Sequence, residues 1–211
     1  MIIGVNATNR WVQYGQYSLH SSMVKEWDAH GHIETLPNQL QSLMINEMSG
    51  ALVILGPGSY TGIRLSLTVL KMMALLYNVP LLGFSLFDAY MSVNHLLIRG
   101  LTVLASPSRK GMLNVQVYQS QKDAFFPVSS LLQVPLPGFE SFLNRFNFAI
   151  HCHYFGEQDQ LPSLPKVDVQ CVRLDLLSLL RVKSSDIELA QVTTGRLSPI
   201  YSSPPVLIQK S

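Results

Sequence analysis

The sequence is short of charged residues. Lys and Arg number 15 and Asp and Glu number 13 among 211 residues, so charged residues make up 13% of the chain and the formal net charge is +2. This fraction is about half of that in an average globular domain. The near balance of charge excludes a disordered acidic protein and a strongly basic nucleic-acid coat. A surface with so little charge often carries an apolar patch that a partner covers.

Cysteine is scarce as well. The chain contains only Cys152 and Cys171, which excludes the multiple disulfides of small secreted domains. Residues 1–6 include no basic segment and no apolar run of the signal-peptide type, so we expect a cytoplasmic protein. The apolar stretch at residues 65–87 contains Lys71 and Pro80. These two residues favour a buried helix and a buried strand over a membrane span.

The first hundred residues predict a mixed sheet with helices on its faces, because strands and helices follow one another in the order β-β-β-α-β-α-β-α. Apolar runs and alternating residues indicate the strands, and apolar residues at helical spacing indicate the helices. The predicted strands are 2–5, 11–17, 23–27, 51–55 and 80–84, and the predicted helices are 33–48, 62–78 and 86–97.

The second half of the chain predicts a smaller unit, and residue 98 is the best boundary between the two. A hairpin is expected around the turn at 106–111, and three prolines after residue 198 predict an extended tail. The remaining predicted elements are a loop at 127–137, a helix at 139–146, strands at 148–155 and 167–174, and a helix at 175–182 with Asp175 as its N-cap.

A glycine-rich segment, GPGSYTGIR at residues 56–64, joins a buried strand to a helix. Glycines permit positive φ and a close approach of the backbone, and free N–H groups at a helix start attract anions. The segment is not a Walker A loop, because no Lys-Ser/Thr follows the glycines, and it is not a Rossmann fingerprint. It is therefore either a tight turn without a ligand or a weak phosphate site. The candidate residues for that site are Gly56, Gly58, Ser59, Thr61 and Gly62.

The helix that follows this segment has two apolar faces, whereas a helix lying on a sheet needs only one. One face carries Leu65, Val69, Met72 and Leu76, and the other carries Ile63, Leu67, Leu70 and Ala74. Either both faces are buried within the chain, or one of them meets another protein. In the second case the predicted interface consists of Ile33, Leu36, Leu40 and Leu43 on the preceding helix with Ile63, Leu67, Leu70 and Ala74.

The glycine-rich segment, the buried strand before it and the helix after it resemble those of the TsaB family, also called YeaZ. Three further segments resemble the family: His32 and Glu34 at the entry to the first helix, Ser108-Arg109-Lys110-Gly111 followed by Tyr118, and Ser198-Pro199-Ile200-Tyr201 near the end. The resemblance covers nearly the whole chain and is most specific in the glycine-rich segment and its helix.

The resemblance implies an actin-like (ASKHA) fold of two lobes, residues 1–98 and 99–211, with mixed sheets flanked by helices. It also implies a non-catalytic subunit, without cofactor or metal, of the machinery that makes threonylcarbamoyladenosine on tRNA. In this family TsaB pairs with its catalytic relative TsaD through helices of the first lobe, and the ATPase TsaE joins them. Contact with tRNA is then expected only through the complex, with a homodimer when the protein is alone and no membrane partner.

The sequence departs from the family at two positions that bear on catalysis. The first strand of an actin-like fold normally ends with an Asp that helps to hold a phosphate-bound metal, whereas this chain has Asn6. A neutral amide is a poorer ligand than a carboxylate for a hard divalent cation. Pro107 stands where the family hairpin has an Asp. Both changes argue against phosphoryl transfer by this chain.

Other catalytic sites find little support in the sequence. His151 and His153 lie at i and i+2 of a predicted strand, but a zinc site needs three or four ligands and the chain has no His-x-x-x-His pair. Cys152 has no identifiable base to activate it. The leading hypothesis is therefore a scaffold that stabilises a catalytic partner. The alternatives are an actin-fold nucleotide-binding phosphotransferase or hydrolase and, less favoured, a metallopeptidase.

Overall fold

The structure is a computed structural model with two mixed sheets. It describes residues 1–28, 36–41, 48–109, 111–122, 124–146, 150–161, 168–190 and 197–201. The strands up to Phe84 form one sheet, and those from Gly100 onward form the other. The predicted hairpin at the start of the second half is confirmed, since its two strands pair in antiparallel register.

The first sheet has five strands in the order β3-β2-β1-β4-β5. β1, β2 and β3 form an antiparallel meander, and β4 and β5 add to β1 in parallel. Its elements and the helices between them are β1 Ile2–Asn6, β2 Trp11–Tyr17, β3 Ser22–Asp28, α1 Leu36–Gln41, β4 Gly50–Ile54, α2 Tyr60–Tyr77, β5 Leu81–Phe84 and α3 Leu86–Asn94.

The second sheet has the order β11-β10-β6-β7-β8, and β9 also pairs with β7. Its elements and helices are β6 Gly100–Pro107, β7 Met112–Gln121, β8 Ala124–Pro127, β9 Leu132–Pro135, α4 Phe139–Leu143, β10 His151–Tyr154, β11 Val169–Cys171 and α5 Leu176–Leu189. The predicted loop at 127–137 is wrong, because this segment contains β9. A proline at the end of a short strand with one pairing partner costs no internal hydrogen bond.

Three apolar clusters place the helices in layers. α1 and α2 cover the outer face of the first sheet, where Ile3, Val5 and Val53 point. α3 and α5 lie between the two sheets, because Ile2 and Leu52 share a cluster with both helices and with strands of the second sheet. α4 covers the outer face of the second sheet. This alternation of neighbouring residues between faces is the one that a strand requires.

Helix α5 belongs to the second half of the sequence but packs on the first sheet. It contacts β1, β2 and β4 and also α3. The Asp175 side chain accepts hydrogen bonds from the N–H and the hydroxyl of Ser178, so the predicted N-cap is confirmed. The helix continues to Leu189, beyond the predicted end at 182. The boundary at residue 98 therefore divides the sheets, but it does not divide the helices in the same way.

None of the helices in the described ranges combines the length and the apolar character that a bilayer span needs. The apolar stretch at 65–87 is instead the end of α2, the strand β5 and the start of α3. Asn78, in the left-handed conformation, ends α2, and its N–H donates to carbonyl groups of Ala74 and Leu75.

Candidate functional site

A cleft of about 700 Å³ lies between the two halves of the chain. One wall comes from the β1–β2 turn at residues 8–11 and from the glycine-rich segment. The opposite wall comes from the second half, including Ser106, Arg109 and Glu157. Apolar side chains, among them Leu86, Phe155, Val172 and Ile200, also line it. A concave site of this size with polar groups around apolar ones is the usual form of a small-molecule pocket.

The glycines of the glycine-rich segment allow it to pack closely against the backbone of neighbouring segments. A Cβ at Gly58 would lie 2.1 Å from the carbonyl oxygen of Thr8, and one at Gly62 would lie 2.2 Å from that of Ala7. Gly56 has a φ of +112°, and a Cβ there would lie 2.8 Å from the carbonyl oxygen of Ile200. No other residue permits these approaches. The glycines are thus explained without a ligand.

At the start of α2, two backbone N–H groups that could bind an anion already donate to acceptors within the chain. The Ser59 N–H donates to the carbonyl oxygen of Thr8 over 2.6 Å, and the Gly62 N–H donates to the Ser59 side chain over 3.2 Å. Of the five residues predicted to bind phosphate, Gly58 and Ser59 belong to the lining of the cleft, whereas Gly56, Thr61 and Gly62 do not. Phosphate binding at this segment stays a prediction.

Asn6 at the end of β1 is buried and has no free oxygen lone pair. Its Oδ1 accepts a hydrogen bond from the N–H of Thr8 over 3.2 Å and another from the Thr8 hydroxyl over 2.7 Å. An amide oxygen has two lone pairs, so both are used. In the described part of the chain, no group of three or more His, Cys, Asp or Glu side chains could hold a metal ion. The residues at this position therefore do not fit a phosphate-bound divalent cation.

Of the three arginines among the described residues that line the cleft, Arg10 and Arg173 are paired with acids. Arg10 donates to Asp28 and lies 3.8 Å from Glu157, and Arg173 donates to Glu26 over 2.6 Å. The hydrogen bond and charge of Asp28 raise the pKa of Arg10. Charge that is already paired attracts a phosphate chain less strongly. The pairing of Arg10 and Arg173 therefore reduces the attraction of the cleft for a polyanion.

The predicted interface on α2 is wrong in its choice of face. Ile63, Leu67, Leu70 and Ala74 are buried within the chain, and Leu36 of α1 is buried with them. These side chains cover the outer face of the first sheet, so they are unavailable to a partner. Ile33 and Leu43 lie outside the described residues, as does the side chain of Leu40.

The opposite side of α2 is the exposed apolar one. Met72 is 66% exposed, Leu75 64% and Leu76 76%. Leu65 and Val69 continue the same strip and are partly buried. We call these five residues the outer α2 face. Sequence periodicity predicts two apolar faces on this helix. Leu75 lies between them, so the periodicity assigns it to neither face.

Two solved structures share this arrangement over nearly the whole chain. One, an uncharacterized protein with similarity to peptidase YeaZ from Pseudomonas aeruginosa, has a TM-score of 0.70 at 14% identity, covering 96% of this chain and 99% of that one. YeaZ from Pseudomonas aeruginosa has a TM-score of 0.67 at 15% identity, covering 95% and 98%. The chain has the YeaZ fold. No family model matches its sequence, and no curated protein matches it.

The comparison confirms the predicted fold class. YeaZ is actin-like, and the two mixed sheets flanked by helices in this chain follow that arrangement. In the YeaZ fold adopted here, the β1–β2 turn, the glycine-rich segment and the residues before α5 meet at one cleft. Sequence reasoning missed Arg10, Trp11 and Arg173 as cleft residues, since Arg173 is distant from the other two along the chain and no local pattern marks it.

The histidine and cysteine candidates occupy structural positions in β10. His153 is buried, and its Nδ1 lies 2.6 Å from the Tyr90 hydroxyl, whereas His151 is exposed. Burial lowers the pKa of His153, and the neighbouring His151 lowers it further. Burial raises the pKa of the Cys152 thiol to about 12, so it stays protonated and is a poor nucleophile. The predicted strand is confirmed over His151–Tyr154.

The extended tail is described up to Tyr201. Lys71 of α2 donates to the carbonyl oxygen of Leu197 over 2.7 Å, and the Ile200 N–H donates to that of Leu55 over 2.7 Å. The Tyr201 ring stacks on Tyr60 with 5.2 Å between centroids, at the edge of the cleft. This part of the tail lies across the end of the first sheet, next to the glycine-rich segment. The rest of the predicted tail lies outside the described residues.

Proposed function

We propose that the chain is a non-catalytic scaffold subunit that binds and stabilises TsaD during threonylcarbamoyl transfer to tRNA adenosine. TsaE joins the pair, and tRNA is contacted through the complex. The observation that carries this proposal is the outer α2 face, an apolar strip that no described part of the chain covers. The YeaZ fold supports it, because it is the fold of the family that the sequence resembles.

The outer α2 face has the features of a protein-binding surface. Its large side chains lie on one rigid helix, which Ser59 caps at the start and Asn78 ends. Exposed side chains such as Leu76 contribute to association when a partner removes them from water. The homodimer that we expect of the isolated chain uses the same strip, so TsaD and a second copy compete for it.

Two buried residues support a role without catalysis. Asn6 stands where a metal-facing carboxylate is expected, and its oxygen is occupied by Thr8. Cys152 is protonated and buried. Neither residue supplies a nucleophile or a metal ligand, which the phosphotransferase, hydrolase and peptidase hypotheses require.

The test is co-purification with TsaD of the same organism. Leu76→Glu places a carboxylate in the proposed contact, and burying an unpaired charge weakens binding by about 100-fold or more. Leu97→Glu is the matched control, because Leu97 is 84% exposed but lies in the turn after α3. We expect Leu76→Glu to lose TsaD and Leu97→Glu to retain it. Equal retention by both variants contradicts the proposal.

The size of the cleft favours a second candidate function, nucleotide binding between the lobes. Titration of the isolated chain with ATP and Mg²⁺ tests it. Submillimolar binding accompanied by turnover establishes an enzyme and overturns the scaffold proposal. Binding without turnover is compatible with a scaffold that retains a nucleotide.

A further inference from the structure

A row of three polar side chains crosses the first sheet and begins next to Thr8, which lines the cleft. Asn6 of β1 is the register partner of Gln13 of β2, and Gln13 is the register partner of Glu26 of β3. Directly paired residues on neighbouring strands project from the same face. Asn6 is 2% exposed, Gln13 8% and the Glu26 side chain 29%, so the row runs from the core to the surface.

The hydrogen bonds along this row run in one direction. A backbone N–H can only donate, so the Thr8 N–H fixes the facing Asn6 atom as Oδ1. Asn6 Nδ2 then donates to Gln13 Oε1 over 3.1 Å. That orientation turns Gln13 Nε2 toward Glu26 Oε2, to which it donates over 2.8 Å. Each bond therefore determines the orientation of the next side chain.

The row continues into the second half of the chain. Arg173, which precedes α5, donates to the other carboxylate oxygen of Glu26. The Arg173 guanidinium also lies over the Trp11 ring, 5.1 Å from its centroid, and the Arg10 guanidinium lies 5.6 Å from it. Arg173 and Trp11 line the cleft. The hydrogen bonds that begin at Thr8 on one wall therefore end at Arg173 on the other.

We propose that Thr8, Asn6, Gln13, Glu26 and Arg173 form a one-way relay that requires an amide at position 6 and ties the two cleft walls together. A carboxylate at position 6 would face the Gln13 carbonyl oxygen. Turning Gln13 round would point that oxygen at the Glu26 carboxylate, so in either arrangement two acceptor oxygens face each other without a donor between them. The relay thus excludes the metal-facing carboxylate of the actin-like fold and holds the cleft without a divalent cation.

Exchange of the carboxylate between two positions tests the direction of the relay. In N6D/E26Q the carboxylate moves to position 6, Gln13 turns round and donates to it, and the new amide at position 26 donates to Gln13. The total charge is unchanged. We expect N6D alone to lower the melting temperature by about 5–10 °C, because it buries a carboxylate beside an acceptor. We expect E26Q alone to lower it less.

The double variant decides the result. If the relay is directional, N6D/E26Q regains at least half of the melting temperature that N6D loses, since the reversed set of donors and acceptors is complete. A double variant whose loss equals or exceeds the sum of the two single losses overturns the relay, because independent sites simply add. If N6D does not fold but N6D/E26Q does, the same conclusion in favour of the relay holds.

The wild-type protein offers a test that needs no variant. Its melting temperature is measured alone, with MgCl₂, with ATP and with both. A ligand that binds the folded state raises the melting temperature. We expect Mg²⁺ to add nothing to the value obtained with ATP alone. A rise of more than about 2 °C that requires Mg²⁺ overturns the metal-free cleft. This outcome is independent of TsaD binding, so the proposed function stands or falls separately.

Discussion

At the scale of single residues, close backbone packing determines which glycines of the glycine-rich segment are needed. Gly58 has a φ of +154°, and its Cβ position lies 2.1 Å from a carbonyl oxygen. We expect Gly58→Ala to lower the free energy of unfolding by about 3 kcal/mol, from backbone strain and overlap together. Urea unfolding measures it. Gly138→Ala is the control, because nothing lies within 4 Å of its Cβ position. A similar loss in both variants refutes this explanation.

His153 makes the stability depend on pH in the acid range. Burial lowers its pKa in the folded chain, His151 lowers it further and Asp168 opposes the shift. As the pH falls, the unfolded chain therefore takes up the proton first. The stability contribution is complete above the pKa of an unfolded histidine, about 6.5, and is lost as the pH falls below it.

We expect the wild type to lose free energy of unfolding between pH 7.5 and pH 5.5, and His153→Gln to lose less over the same interval. Gln retains an acceptor for the Tyr90 hydroxyl. Urea unfolding at both pH values is the measurement, with His20→Gln as the exposed control. An identical pH dependence of the wild type and His153→Gln contradicts the assignment.

Much of the residue-level chemistry could be predicted from the sequence, and one part could not. The glycines predicted a tight strand-to-helix turn, and Asn6 indicated that the carboxylate expected at the end of the first strand is missing. No sequence pattern indicated the partners of Asn6, because Gln13 and Glu26 become neighbours only through strand register. The contact of Glu26 with Arg173 depends further on how the two halves pack.

At the scale of elements, α2 illustrates what periodicity can decide. The spacing of its apolar residues predicted a helix with two faces, and both faces exist. Periodicity treats the two faces alike, so it could not determine which one covers the sheet. The face with Ile63 and Leu70 packs on the sheet, whereas Met72 and Leu76 are exposed on the opposite side of the helix. Our choice of interface residues was wrong for that reason.

The N-cap of α5 has a predictable energetic role. Asp175 accepts hydrogen bonds from the N–H of Ser178 over 3.0 Å and from its hydroxyl over 2.6 Å. We expect Asp175→Ala to lower the free energy of unfolding by about 1 kcal/mol, the usual cost of losing a cap, and Asp175→Asn to lower it much less. Thermal or urea unfolding distinguishes them. Equal losses would show that the charge of Asp175 matters and its hydrogen bonds do not.

At the scale of the whole molecule, α5 makes the first sheet depend on the second half of the chain. Gly4 and Gly15, in β1 and β2, lie against Leu180, so α5 covers the inner face of the first sheet. Sequence order alone placed α5 in the second lobe, because the crossing back from residue 171 to the first sheet has no local signal. The division into lobes at 1–98 and 99–211 therefore stays a prediction, and it does not imply that each lobe folds independently.

We expect residues 1–98 alone to show no cooperative thermal transition. Leu176, Leu179, Leu180 and Ile187 of α5 are buried, and each buried leucine or isoleucine contributes about 1.5–3 kcal/mol. Their combined contribution, about 6–12 kcal/mol, is as large as the whole stability of a typical domain, about 5–15 kcal/mol. Without them the inner face of the first sheet, which includes Ile2 and Leu52, is open to water.

Co-expression of residues 1–98 with residues 99–211 as two chains is the matched control. It restores α5 to the first sheet without a covalent connection at residue 98, so we expect a complex that unfolds in one transition, monitored by circular dichroism. A cooperative transition of residues 1–98 alone would make the first lobe an independent domain. The contribution of α5 would then lie in orienting the two sheets around the cleft, because the first sheet would already be stable without it.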